Sequence, residues 1–75
     1  MLPTQSKMAR AALGLGVREF AELAKVSPDT VARFERGEEL RERTVDALRA
    51  ALESAGVEFI PENGSGSGVR MKRTQ

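Results

Sequence analysis

The sequence predicts a mainly α domain of four to five helices followed by a short C-terminal β-hairpin or an extended tail. Three observations lead there. Apolar residues recur at three- and four-residue spacing in segments that stop at Gly14, Gly37 and Gly56. Ser27-Pro28 supplies a strong helix start, a capping hydroxyl followed by proline at the first helical position. After Gly56 the residue types change from helix formers to strand formers. A chain of 75 residues holds one domain with a short extra element. The domain is placed at residues 4–56 and the tail at 57–75.

The first helix is expected from about Gln5 to Leu13, capped by Thr4, with Met8, Ala9, Ala12 and Leu13 inward and Met1 to Pro3 as a loose lead-in. Gly14 ends it, Leu15 connects, and Gly16 turns or caps. A second helix spans Val17 to Lys25, with Phe20, Ala21 and Ala24 on its buried side and Leu23 at the edge. Glu19 and Glu22 near its start and Lys25 near its end suit the helix dipole. Val26 plugs the following turn. The third helix runs to Glu35 with Val31 and Phe34 inward, and Gly37 stops it. Glu38 to Arg43 reads as a charged loop able to carry one helical turn, which would be the fifth helix. From Thr44 an apolar stripe of Val45, Leu48, Leu52 and Ala55, widened by Ala47 and Ala51, marks the next helix. Val57 to Ile60 and Val69 to Lys72 then read as two short strands around a turn-rich loop, with a flexible tail from Gly64 onward as the alternative.

The run Arg10-Ala11-Ala12-Leu13-Gly14-Leu15, then Phe20-Ala21-Glu22-Leu23-Ala24, then Val26-Ser27 and Thr30-Val31-Ala32-Arg33-Phe34-Glu35-Arg36-Gly37 resembles the Cro/C1-type helix-turn-helix family of phage repressors and bacterial regulators. The likeness covers roughly Met8 to Leu52. It implies that Ala21, Val26 and Val31 pack the two central helices together and that Arg10 pairs with Glu35. Two departures bear on affinity. The family often opens its second helix with a hydroxyl cap and a glutamine that touches phosphate, whereas Gly16 and Val17 stand here. The turn that usually carries glycine carries Lys25, which would have to adopt a left-handed backbone.

A helix-turn-helix presents the early residues of its third helix to base edges in the major groove. The resemblance therefore implies base reading by Pro28, Asp29, Thr30 and Arg33. Arg33 is the leading reader, because its guanidinium can donate twice to guanine O6 and N7. Asp29, one helical turn away, is expected chiefly to orient Arg33. Ser27, Arg36, Arg41 and Arg43, with Lys25 and Arg18 as weaker members, are the expected phosphate contacts. Glu38, Glu39 and Glu42 interleave with these arginines, so the segment reads equally as a solvated charged loop.

Composition bounds the alternatives. With 40% hydrophobic and 31% charged residues the chain should fold as a soluble domain. The absence of cysteine and histidine removes thiolate and imidazole metal sites, cysteine nucleophiles and the usual neutral-pH base. The glycines from Gly64 to Gly68 lack the lysine of a phosphate loop, so neither an enzyme nor a cofactor is expected. No apolar run would span a bilayer and no signal-like stretch opens the chain, so a cytoplasmic protein without membrane contact is expected. A net charge of +1 gives nucleic-acid binding little support unless symmetry doubles a basic face. The expected function is a dimeric, sequence-specific regulator of double-stranded DNA, a repressor of its own gene acting on a palindromic operator. Val57, Phe59, Ile60, Val69 and Met71 are the expected dimer contacts, with packing inside the monomer as the other use of the tail. The competing class is an antitoxin or anti-activator that neutralises a protein partner by strand addition.

Overall fold

The computed structural model describes residues 1–62 and 64–72. Its elements are α1 (Pro3–Leu13), α2 (Val17–Ala24), α3 (Pro28–Glu35), α4 (Glu42–Ser54), β1 (Val57–Ile60) and β2 (Gly68–Met71). The expected mainly helical domain with a terminal hairpin is therefore present. Glu38 to Arg41 is not helical, so the count stops at four helices among the described residues.

α1 begins earlier than its composition suggested. Pro3 takes the first helical position, where a missing N–H is harmless, and Thr4 lies exposed inside the helix instead of capping it. The cap comes from the side chain of Gln5, whose Oε1 accepts the Leu2 N–H at 2.8 Å. The same amide donates through Nε2 to the carbonyls of Ile60 (3.2 Å) and Gly68 (3.0 Å), which face each other across the hairpin. Gln5 thus starts the first helix and ties the last two strands to it. Its neighbours on the buried face are Ser6 and Ala9; Met8 and Leu13 are half-buried, while Ala12, expected inward, is exposed.

α1, α2 and α3 end in the same way. A residue with positive φ reverses the chain: Gly14 (71°), Lys25 (59°) and Gly37 (95°). The N–H of the next residue then reaches back five positions, Leu15 to the Arg10 carbonyl (2.9 Å), Val26 to Ala21 (3.0 Å) and Glu38 to Arg33 (3.0 Å). Lys25 does adopt the left-handed backbone that its place in the turn requires, at a strain of about 1 kcal/mol relative to glycine. α4 starts at Glu42, ahead of the expected Thr44, because extended Arg41 acts as its cap residue and accepts the first backbone bonds.

The core comprises Ala9, Phe20, Ala21, Val31, Phe34, Leu48, Leu52 and Val57. α2 packs between α3 and α4, and the hairpin lies against α1 and α4. Ala55 falls outside the stripe expected for α4 and is exposed, as is Leu23. The strands are antiparallel, with Val57 opposite Met71 and Phe59 opposite Val69 on one face. That face turns inward: Val57 is fully buried, Phe59 and Val69 pack on the core, and the Arg49 guanidinium lies 5.3 Å from the Phe59 ring centre. Glu58 and Arg70 pair on the other face. Val57, Phe59 and Val69 therefore pack within their own chain, while Ile60 is half-buried and Met71 is 47% exposed. Lys72 lies just beyond the second strand, its N–H bonded to the Gly56 carbonyl at 2.7 Å.

Replacing Gln5 by leucine keeps the volume but removes the cap and leaves two carbonyls without this donor. The expected cost is about 1 to 3 kcal/mol in urea unfolding, with faster amide exchange in both strands. Unchanged exchange there would show that apolar packing alone holds the hairpin.

Candidate nucleic-acid interface

α3 has two functional faces. Val31, Phe34 and Glu35 are buried, so Pro28, Asp29, Arg33 and Arg36 are turned to solvent, with Thr30 half-buried between. The helix starts as expected: Ser27 Oγ accepts the Thr30 N–H at 3.1 Å and shares a hydrogen bond with Thr30 Oγ1 at 2.9 Å. The N-terminus of α2 is held differently. Gly16 is its cap residue, and Glu19 reaches back to accept the Gly16 N–H at 2.8 Å, so a carboxylate stands at the start of α2.

The inner side of α3 is fixed by a charged lock. Arg10 donates through Nε to Glu35 Oε2 (2.9 Å) and through Nη2 to Oε1 (2.7 Å), while Ser6 Oγ donates to Oε2 (2.6 Å). Arg10 Nη1 also reaches the Leu15 carbonyl at 3.2 Å, tying the lock to the turn after α1. The Glu35 side chain is 6% exposed and that of Arg10 21%. Burial by itself would raise the Glu35 pKa, but hydrogen bonds from Arg10 and Ser6, together with the charges of Arg10 and Lys7, bring it below the ordinary value. Ser6 was not singled out in the sequence; a lone serine on an amphipathic helix gives no signal until its partner is known.

On the outer side, Ser27, Thr30 and Arg33 line one wall of an open groove of about 470 Å³, and Leu40, Arg41 and Thr44 line the other. Glu39 also borders it. The fold thus gathers the cap, the candidate reader and one arginine of the following loop. Arg36 lies beyond the groove beside Glu38, and Arg43 is exposed in the first turn of α4. Arg18 and Pro28 line a smaller notch between α2 and α3, and Lys25 borders a different depression between α2 and α4.

Two short helices are thus joined by a tight turn, the second with its outer side exposed. Residues 7–59 match the family model described as a helix-turn-helix domain. The chain belongs to this helix-turn-helix family, of the Cro/C1 type. A search of curated proteins found none that matches. As in helix-turn-helix regulators generally, the domain is a DNA-binding one of a family that is typically non-enzymatic. Among the described residues no helix is long and apolar enough to cross a membrane.

Within the helix-turn-helix, Arg33 is held by a residue that the sequence did not put forward. Its Nε donates to Glu38 Oε1 at 2.9 Å, whereas Asp29, the expected orienting residue, is 4.0 Å from Arg33 Nη1, beyond hydrogen-bond reach. Glu38 Oε2 accepts from Arg36 Nη2 at 2.7 Å. Hydrogen bonds from Arg36 and Arg33 hold the Glu38 carboxyl below its ordinary pKa, keeping it charged. The signal was present in Gly37: a left-handed residue after a helix places the next side chain over the last turn.

Glu35 predicts a pH dependence. Because its folded pKa is depressed, it stabilises the fold at neutral pH, and that contribution disappears as pH falls from the unfolded value, about 4.3, through the folded one. Glu35→Gln should cost about 3 kcal/mol at pH 7, the low end for breaking a buried pair given the exposure of Arg10. It should also flatten the acid limb of a urea-stability profile as pH falls below the unfolded value. An acid limb as steep as that of the wild type would assign the acid sensitivity to other carboxylates.

Proposed function

We propose that the chain is a sequence-specific regulator of transcription that binds double-stranded DNA through α3 and acts as a dimeric repressor near its own gene. The observation that carries the reading is the split of α3 between an inner face locked by Val31, Phe34 and Glu35 and an outer face presenting Arg33. Arg33 would read guanine, with Thr30 and Pro28 against neighbouring base edges or methyl groups and Asp29 beside them. Ser27, Arg41 and Arg43 would hold phosphates, joined by Arg36, Arg18 and Lys25 at the margins. The missing anchor at Val17 places more of the binding on this groove.

Dimerisation is supported by dimension. The described chain measures 30 × 29 × 19 Å. Reading a palindrome needs two recognition helices about 34 Å apart, one turn of DNA, a spacing similar to the width of one copy. Because the inner face of the hairpin is occupied by its own chain, a second copy would use the outer strand edges and Met71. Those edges also favour the second reading, an antitoxin-like or anti-activator role in which a protein partner adds a strand. Either role places the chain in the cytoplasm with the DNA.

Binding to duplex DNA from immediately upstream of its gene, with non-specific competitor, tests the proposal. The wild type should resist competition, and Arg33→Ala should weaken binding by roughly ten- to a hundred-fold, the worth of a bidentate guanine contact. Loss of sequence preference in the wild type at every salt concentration would reject self-regulation. Stoichiometric capture of a protein partner that survives Arg33→Ala would favour the second reading.

A further inference from the structure

After α1 and α2 the residue that closes the reversing turn is apolar, Leu15 and Val26; after α3 it is Glu38. The difference lies at the edge of the candidate reading face. Gly37 turns the backbone so that the Glu38 N–H bonds to the Arg33 carbonyl at 3.0 Å, and the Arg33 side chain answers by donating to Glu38 Oε1 at 2.9 Å. The two residues are joined through both main chain and side chain. The second carboxylate oxygen takes Arg36 at 2.7 Å. An isolated exposed ion pair contributes little, but here the turn sets the partners together before the side chains meet and one carboxylate serves two guanidinium groups.

The contact selects how Arg33 can be used. A guanidinium offers base edges either its side, Nε with one terminal nitrogen, or its end, the two terminal nitrogens. With Nε occupied, the end remains, a fork that matches guanine O6 and N7. Arg36 keeps its remaining N–H donors, but with its charge paired to Glu38 it attracts phosphate less, and the carboxylate itself opposes a backbone that is out of place.

We propose that Glu38 is a positioning residue for base recognition: it presents Arg33 end-on to guanine and holds Arg36 back from indiscriminate phosphate contacts. The preference of the protein for its site over other DNA then depends on Glu38. The inference rests on the DNA reading above.

The test uses the full chain and a duplex library with a random core. Wild type selects a preferred duplex, and binding to that duplex and to one of unrelated sequence is then measured across salt for wild type, Glu38→Gln, Arg33→Ala, Arg36→Ala and the Glu38→Gln/Arg36→Ala pair. Thermal melts establish that each exposed-surface variant is folded. For Glu38→Gln we expect several-fold tighter binding to the unrelated duplex, with the log–log salt slope steeper by about one phosphate contact. Preference for the selected duplex should fall about tenfold. Arg36→Ala should weaken unrelated-duplex binding less in the wild type than in the Glu38→Gln background, where it should cancel the gain. A purely structural Glu38 would move stability without moving preference. Equal tightening on both duplexes would reduce Glu38 to a removable negative charge and overturn the inference. If Arg33→Ala loses preference while Glu38→Gln keeps it, the DNA reading stands and this inference falls. If the wild type selects no sequence, both fall.

Discussion

Arg10, Glu35 and Ser6 form the contact on which the placement of α3 depends. α3 is only eight residues long and buries just Val31 and Phe34 as apolar anchors, too few to fix its rotation about its own axis. The carboxylate supplies the missing constraint, because a two-point fork from Arg10 and a third bond from Ser6 are satisfied together in one orientation. Taking two charges out of water is unfavourable, and the arrangement is tolerable only because no buried side-chain nitrogen or oxygen among the described residues lacks a partner. Through Leu15 the lock also registers the turn after α1, so one cluster relates α1, the entry to α2 and the outer face of α3.

Three repeated turns then carry that orientation along the chain. Each reversal returns an N–H to the residue five positions back, and the side chain that follows is directed over the helix just completed. In the first two turns this directs Leu15 and Val26 toward the body. In the third it directs Glu38 over Arg33. The same backbone device packs Val26 on the core, leaves Leu15 half-buried and organises a surface contact at Glu38, and the residue type decides which. Lys25 shows that the geometry is demanded by the fold and not by the presence of glycine, since a side chain is accepted at φ 59°.

Where local chemistry dictates local structure, the sequence was legible. Ser27-Pro28, Gly14, Gly37 and the Leu48/Leu52 stripe each carry their own explanation, and each sits where it was expected. The pairing of Arg10 with Glu35 was legible only through resemblance, since twenty-five positions separate the partners. Gln5 and Ser6 were missed because polar residues on a helix default to the solvent side, and what buries them is the hairpin and Glu35, remote in the chain. Helical periodicity pointed to Asp29 beside Arg33, and the two form an i,i+4 ion pair at 4.0 Å; periodicity could not show the chain reversal that brings Glu38 nearer, at 2.9 Å. The hairpin itself was foreseen from residue types, but not which of its faces would be covered, because alternation names two faces without saying what each meets.

A net charge of +1 constrains how such a domain can work. A strongly basic protein would gain most of its affinity from phosphates and discriminate afterwards; this one has Asp29, Glu38 and Glu39 around the helix it would present to DNA. On the proposed reading, those carboxylates penalise every complex in which the arginines are not correctly seated, since an unsatisfied carboxylate near a phosphate is repelled. When Arg33 meets guanine end-on it stays bonded to Glu38, so the correct complex gains the base contact without unpairing that carboxylate. Weak attraction in general combined with a tolerated exception is one route to specificity. It also makes a second copy more valuable, because a domain with few phosphate contacts must gain affinity by engaging two half-sites at once.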